Sequence, residues 1–169
     1  MRKVTNKVEA ITVGDKLFKE IAAAIDAALS YETQTRGKRK LGITGEVGEV
    51  LVCYHLRRRL GLRLVLDSRS EGFDAIDGNG LHVQIKTRRS ESDGLPKDVG
   101  RTGVFSKHGF DYALLALLDH NYRLCEVWRA DYDKLKPIIE KQKRRMPSLR
   151  SFKGMEGKPL WRSKIGVNG

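Results

Sequence analysis

The longest apolar stretch in this sequence, Tyr112–Leu118, has the length of a buried β-strand. It is far shorter than the ~20 residues that a membrane-spanning helix needs, so no segment is expected to cross a bilayer. A second strand candidate, residues 123–130, follows the turn-forming residues 119–121 and completes a strand pair. With 169 residues, of which 40% are hydrophobic, the chain is long enough for one domain built around such a core.

Three helices are predicted around these strands. Residues 14–29 carry apolar side chains at helical spacing, with a polar outer face. A second helix is expected from Thr44, whose side chain can cap it, to the residue before Gly61. A third helix follows the strand pair, with Pro137 in its first turn, and stops before Pro147.

The remaining strands are predicted between the second helix and the apolar pair. Residues 62–66 form a short strand candidate, and residues 73–76 and 81–87 flank the turn formers 77–80 as a hairpin. Residues 90–101 are polar and contain glycine and proline, so they are expected to form a loop. This order of elements predicts a single α/β or α+β domain with a mixed sheet.

Three parts of this domain can be distinguished. Residues 1–40 hold the first helix and a basic connection, residues 41–146 form the core, and residues 147–169 are a tail. The tail carries Phe152 and Trp161, which are expected to dock on the core as part of the same domain.

A strong positive charge limits the partners of the chain. The formal net charge is +12, and the excess is clumped in residues 36–40, 57–59, 86–89 and 141–145. Such clumps suit a polyanion, because each phosphate that is neutralised releases counterions. A protein that is merely basic shows the same charge, so charge alone leaves nucleic-acid binding and this plainer explanation equally open.

Other classes of site are disfavoured by the sequence. The cysteines, Cys53 and Cys125, lie in apolar segments without metal-type spacing and are interpreted as buried thiols of a cytoplasmic protein. The N-terminus lacks the apolar core of a secretory signal. No zinc-type Cys/His spacing, catalytic Ser-His-Asp arrangement or glycine-rich phosphate loop is present, so no nucleotide cofactor is expected.

The hairpin carries a possible site. Its second strand places Gln84 and Lys86 on one face, because side chains alternate along a strand. The tight turn brings Asp74 level with Val83 or Gln84, so an acid, an amide and an ammonium group can converge. Carboxylate and carbonyl oxygens suit a hard cation such as magnesium. Taken alone, however, the same alternation is more often the solvated face of a strand.

Glu49 adds weight to the functional interpretation. It lies in the second helix, where residues 47–56 are apolar almost all round, which predicts a buried helix. A buried carboxylate requires a cation, a metal or a hydrogen-bond donor, so a structural salt bridge to Lys86 or an arginine is the alternative. Gly45 and Gly48 predict close backbone approach beside Glu49. Glu46 is the second choice, since the helix dipole explains an acid in the first turn.

The run from Gly45 to Arg89 resembles the core of the PD-(D/E)XK nuclease superfamily, in a layout similar to Mrr-like restriction enzymes and archaeal Holliday-junction resolvases. The resemblance is close over residues 45–89, and residues 111–130 fit the later core strands in outline. It implies a restriction-endonuclease-like fold, which is a single α/β domain with a mixed central β-sheet flanked by helices.

The resemblance also assigns roles to residues. The helix glutamate of the family falls on Glu49, its metal-binding aspartate on Asp74, its second acid on Gln84 and its lysine on Lys86. These four form the implied catalytic set, and the backbone carbonyl of Ile85 is implied as a further metal ligand beside Asp74, Gln84 and Glu49.

Two departures from the family pattern stand out. Phe73 takes the place of the proline before the aspartate, which is a common variation. Gln84 replaces an acid, and an amide oxygen can bind a metal but removes one negative charge from the site. The superfamily includes QxK members, so an active site with weaker metal affinity is expected.

The implied function is a Mg²⁺-dependent deoxyribonuclease, with Mn²⁺ as a possible substitute, acting in restriction, junction resolution or repair. Arg88, Arg89 and Lys107 are expected to contact DNA, and Ser106 and His108 are weaker candidates. A homodimer is expected by analogy. The alternatives are a DNA-binding module of the same fold with a lost metal site and, less favoured, a basic RNA- or ribosome-associated protein.

Overall fold

The apolar strand β5 (Tyr112–Leu118) lies inside a mixed sheet of seven strands, and all its residues are buried. The computed structural model describes residues 7–106, 109–141 and 146–164. The other strands are β1 (Ala10–Ile11), β2 (Arg63–Val65), β3 (Ala75–Ile76), β4 (His82–Arg89), β6 (Leu124–Asp131) and β7 (Trp161–Arg162).

The order of strands in the sheet follows their order in the chain. Strands β4 and β5 are parallel, and all other neighbours are antiparallel. A parallel pair needs a long crossover. Here the crossover is residues 90–111, in which no helix occurs among the described residues. This long connection passes over one face of the sheet and reaches the candidate site.

Helices cover both faces of the sheet. Helices α1 (Asp15–Gln34) and α2 (Thr44–His55) pack on one face, and α4 (Tyr132–Lys141) and α5 (Leu149–Gly154) pack on the other. A short helix, α3 (Ser68–Glu71), precedes β3. Because β5 is covered from both sides, its sequence is apolar without alternation. The chain is therefore a single α/β domain, as predicted.

Several predicted helix boundaries are corrected. Helix α1 runs on to Gln34. Helix α2 begins at Thr44, but the N-cap is Ile43 and no side chain caps it. The helix stops at His55, and turns lead on to Gly61. Gly61 has φ +64, and a Cβ there would lie 2.8 Å from the Cα of Gly78, so this position requires glycine.

The C-terminal part differs most from the prediction. Pro137 lies inside α4 and not in its first turn, because the helix begins at Tyr132, directly after β6. The tail docks on the core: Phe152 is fully buried, and Trp161 lies in β7, which pairs with β6. None of the helices in the described ranges has the length and apolarity that crossing a membrane requires.

Candidate active site

Asp74 is tied across the hairpin to β4. It lies one residue before β3, and the register of Ala75 with Val83 places it opposite Gln84. Its backbone N–H donates to the Val83 carbonyl at 2.9 Å. One oxygen of its carboxylate, Oδ2, accepts the N–H of Ile85 at 2.7 Å. The predicted position of Asp74, opposite Val83 or Gln84, is therefore confirmed.

The turn of this hairpin is built by a second aspartate. The carboxylate of Asp77 accepts the N–H groups of Asn79 and Leu81, both at 2.9 Å, and the hydroxyl of Tyr112 at 3.0 Å. Such Asx-type bonds fix the conformation of a turn. Asp77 is 4% exposed and serves the geometry of the hairpin.

Helix α2 packs on the face of the sheet that carries Val83 and Ile85, opposite to the side chain of Lys86. From that face it brings Glu49 to β4. The neighbouring Gly48 lies so close to β4 that a Cβ there would be 1.9 Å from the Thr87 hydroxyl oxygen. Only glycine permits this approach. A Cβ at Gly45, in contrast, would meet nothing within 4 Å, so the predicted close contact is right for Gly48 and wrong for Gly45.

The ionisable groups of Glu49, Asp74 and Lys86 lie close enough to perturb one another. Burial, followed by the negative charges of Asp74 and Glu46, raises the pKa of Glu49 to about 8. Burial also raises the pKa of Asp74, although the Ile85 N–H and Lys86 oppose the shift.

The pKa values of Lys86 and of the Cys53 thiol are also affected by the carboxylates of Asp74 and Glu49. Burial lowers the pKa of Lys86, while the carboxylates of Asp74 and Glu49 oppose that shift. Burial, with added effects of the same two carboxylates, raises the pKa of the Cys53 thiol. Four side chains from α2, the β3 approach and β4 therefore share one electrostatic environment.

The donor set matches a hard cation in chemistry. The carboxylate of Asp74 lies opposite Gln84, which is 8% exposed, and the carboxylate of Glu49 is close enough to Asp74 for the charge of Asp74 to raise its pKa. The N–H of Ile85 points to Asp74, beyond the last residue pair of β3 and β4, so the carbonyl of Ile85 points to the same open side. No group of three His, Cys, Asp or Glu side chains is arranged as a metal cage within the described ranges. Binding would thus need the amide and backbone oxygens.

The crossover forms a wall of the site that the sequence did not predict. A Cβ at Gly103 would lie 3.8 Å from Cδ of Lys86. The Lys86 ammonium is 5.5 Å from the centre of the Phe105 ring, which is fully buried. The hydroxyl of Ser106 donates to Oε1 of Gln84 at 3.4 Å. The available signal was a pair of aromatic residues, Phe105 and Phe110, in a largely polar connection.

The C-terminal segment holds this wall in place. The N–H of Thr102 donates to the Pro147 carbonyl at 3.1 Å, and the N–H of Leu149 donates to the Gly100 carbonyl at 2.8 Å. Lys153 forms an ion pair with Asp98 at 2.7 Å. Residues far apart in the chain therefore build the site together.

The two predicted arginine contacts have different environments. Arg88 is exposed and alternates onto the same face of β4 as Lys86. Arg89 points to the other face. Its N–H groups bond both oxygens of Glu32 at 2.6 and 2.8 Å, the Tyr122 hydroxyl at 3.0 Å and the His120 carbonyl.

These bonds use all of the guanidinium donors of Arg89, and its side chain is 11% exposed. The expected DNA contact of Arg89 is therefore replaced by a structural role. Lys107, together with His108, lies outside the described residues.

Neither models of known protein families nor curated protein sequences match this chain. The functional argument therefore depends on the geometry and chemistry of the site.

Proposed function

We propose that this protein is a metal-dependent endonuclease that hydrolyses DNA phosphodiester bonds, as the resemblance to the PD-(D/E)XK superfamily implies. The observation that carries the proposal is the convergence of Glu49, Asp74 and Lys86, three partly buried ionisable groups from separate elements that perturb one another. A buried cluster of this kind is more typical of a functional site than of a solvated strand face.

Asp74, Glu49, Gln84 and the Ile85 carbonyl would hold Mg²⁺ or Mn²⁺. The bound metal would polarise the scissile phosphate and lower the pKa of a water molecule. Lys86 orients the attacking water and offsets the negative charge that develops on the phosphate. The bond from Ile85 to Asp74 holds one carboxylate oxygen, which fixes the direction of the other.

The charge of the protein supports a DNA substrate. Its net charge is +12, and the exposed Arg88 follows Lys86 on the same face of β4. In a homodimer, each of two such active sites would cut one strand of a DNA duplex. Both cysteines are free, which fits the reducing cytoplasm as the place of action.

A cleavage assay tests the proposal. Supercoiled, linear, single-stranded and branched DNA are incubated with Mg²⁺, Mn²⁺ or EDTA. We expect metal-dependent cleavage that Asp74→Asn and Lys86→Met each reduce by about 100-fold or more, with DNA binding largely retained.

Matched controls are Asp26→Asn and Lys19→Met, which make the same changes on exposed positions of α1. Cleavage in EDTA, or equal cleavage by the Asp74→Asn protein, would contradict the assignment.

A DNA-binding module without catalysis is the second candidate. It is favoured by Gln84, which stands where the family has an acid, and by the lack of a three-residue metal cage in the described part of the chain. DNA binding with no cleavage of any substrate in any metal would establish this alternative.

A further inference from the structure

A cleft lies at the carboxyl end of β4, away from the candidate active site. It has a volume of about 330 Å³ and lies between α1, the α1–α2 connection, the end of β4 and the β5–β6 turn. None of Glu49, Asp74 and Lys86 lines it. Its volume is in the range of pockets that take small ligands.

The floor of this cleft carries no net charge. It contains the ion pair of Arg89 and Glu32, whose side chains are only 11% and 13% exposed. The Arg89 guanidinium also lies 3.8 Å above the Tyr122 ring. The walls add small polar groups from Thr33, Ser90 and Asn121, which can accept or donate hydrogen bonds. A flat polar ligand without charge fits such a surface.

The rim of the cleft is cationic. Residues 36–40 are all exposed, and four of these five residues are arginine or lysine. Lys40 lines the cleft directly. The exposed Glu91 lines the opposite side of the cleft, so the positive charge is confined to the side of the α1–α2 connection. A phosphate would bind on that side, while the floor beneath is already neutralised.

The rim is also held in one conformation. The Thr35 hydroxyl oxygen accepts the N–H of Arg39 at 3.3 Å, and Nε of Arg39 donates to the Tyr31 hydroxyl at 2.8 Å. Arg36 adopts φ +56 and Gly37 adopts φ +71. These two conformations belong to the turn that ends α1, in which the N–H of Gly37 donates to the Glu32 carbonyl at 2.8 Å. A rim ordered in advance loses less entropy when it binds a ligand.

We propose that this cleft binds one unpaired nucleotide of a nucleic acid, with the base on the polar floor and the phosphate on the rim at Lys38 and Lys40. A base in a duplex is stacked and cannot enter a cleft, whereas a single-stranded base can. The site is separate from the proposed active site, and its binding does not require catalysis.

Binding measured in EDTA tests this site without any contribution from cleavage. The probes are a fluorescein-labelled single-stranded DNA of 12 nucleotides and the same strand in a duplex. We expect Lys38→Ala/Lys40→Ala to weaken single-strand binding by about 10-fold and to lower its salt dependence. Thr33→Trp, which fills the cleft, should weaken single-strand binding about 5-fold and leave duplex binding within about 2-fold.

The matched control is Lys16→Ala/Lys19→Ala, which removes the same charge at the far end of α1, roughly 20 Å from Thr33. Circular dichroism and thermal melting check that each variant is folded. The proposal is overturned by unchanged binding in the folded rim variant, by equal loss in the control, or by equal effects of Thr33→Trp on duplex and single strand. Binding in EDTA is measured whether or not the protein cleaves DNA, so a failed cleavage assay leaves this test unaffected and the two proposals can fail separately.

Discussion

The backbone N–H of Ile85 donates a 2.7 Å hydrogen bond to the carboxylate of Asp74. This bond joins the approach to β3 with the strand that carries Lys86. It holds the acid in place without a second side chain, so the hairpin itself aligns the acid with the lysine. The neighbouring amide, Gln84, is therefore the residue whose substitution should most directly change the charge of the site.

Gln84→Glu is expected to tighten Mg²⁺ binding by about 10-fold or more, because it adds the negative charge that the site lacks. Isothermal titration calorimetry measures the affinity. Without metal the variant should be less stable, since a further carboxylate is buried near Asp74 and Glu49. Gln34→Glu, at the exposed end of α1, is the control. Unchanged Mg²⁺ affinity would argue against a metal at this position.

Stability without metal should fall as the pH rises from about 4.5 to about 8, the usual and the folded-state pKa of Glu49. Over this range the folded protein keeps a proton on Glu49 that the unfolded chain has released, so higher pH favours unfolding. The contribution is at most about 1.4 kcal/mol per pH unit.

Urea unfolding in EDTA at several pH values measures this slope. Glu49→Gln should flatten it, and Glu20→Gln, at an exposed position, should not. A wild-type slope equal to that of Glu49→Gln would show that Glu49 titrates normally.

The two glycines of α2 should respond oppositely to alanine. Gly48→Ala places a Cβ 2.6 Å from the Cβ of Thr87, so helix or strand must move, at a cost of about 2–3 kcal/mol. Gly45→Ala has open space around it and should stabilise the helix by up to about 1 kcal/mol. Guanidinium unfolding measures both variants. Equal effects would mean that α2 and β4 do not pack as described.

Substitutions of the neighbours Arg88 and Arg89 should affect different properties, DNA binding for Arg88 and protein stability for Arg89. Arg89→Ala leaves the largely buried Glu32 carboxylate with the Tyr122 hydroxyl but without a cation, which costs about 3 kcal/mol, and Arg89→Lys does not restore the two-point contact. Arg88→Ala should change stability by less than about 0.5 kcal/mol but weaken DNA binding. Thermal melting and fluorescence anisotropy distinguish these effects. A stable Arg89→Ala protein would contradict the structural role.

Local sequence patterns predicted those elements whose structure depends on the residues of a single strand, turn or helix. The alternation in β4, the turn at Asp77 and the helical spacing around Glu49 are of this kind, because each pattern is set by residues that are close to one another in sequence. Arg89 could not be assigned in this way, because its partner Glu32 is 57 residues away. A run of basic residues looks the same whether its members face solvent or a buried acid.

The wall of the site shows the same limit. Gly103 and Phe105 lie against Lys86 because the crossover is held by residues near Leu149, and no local periodicity encodes that pairing. The tail strand β7 was missed for a related reason, since its two residues form a strand only through their pairing with β6.

The buried strand β5 has a consequence for folding. Its seven residues contain no charge and no proline, the composition of segments that assemble into intermolecular sheets when exposed. In the native protein β4 and β6 cover both of its edges. Because the parallel partner β4 is joined to it by the long crossover, we expect that edge to close later than the β6 edge, and incompletely folded chains to aggregate through β5.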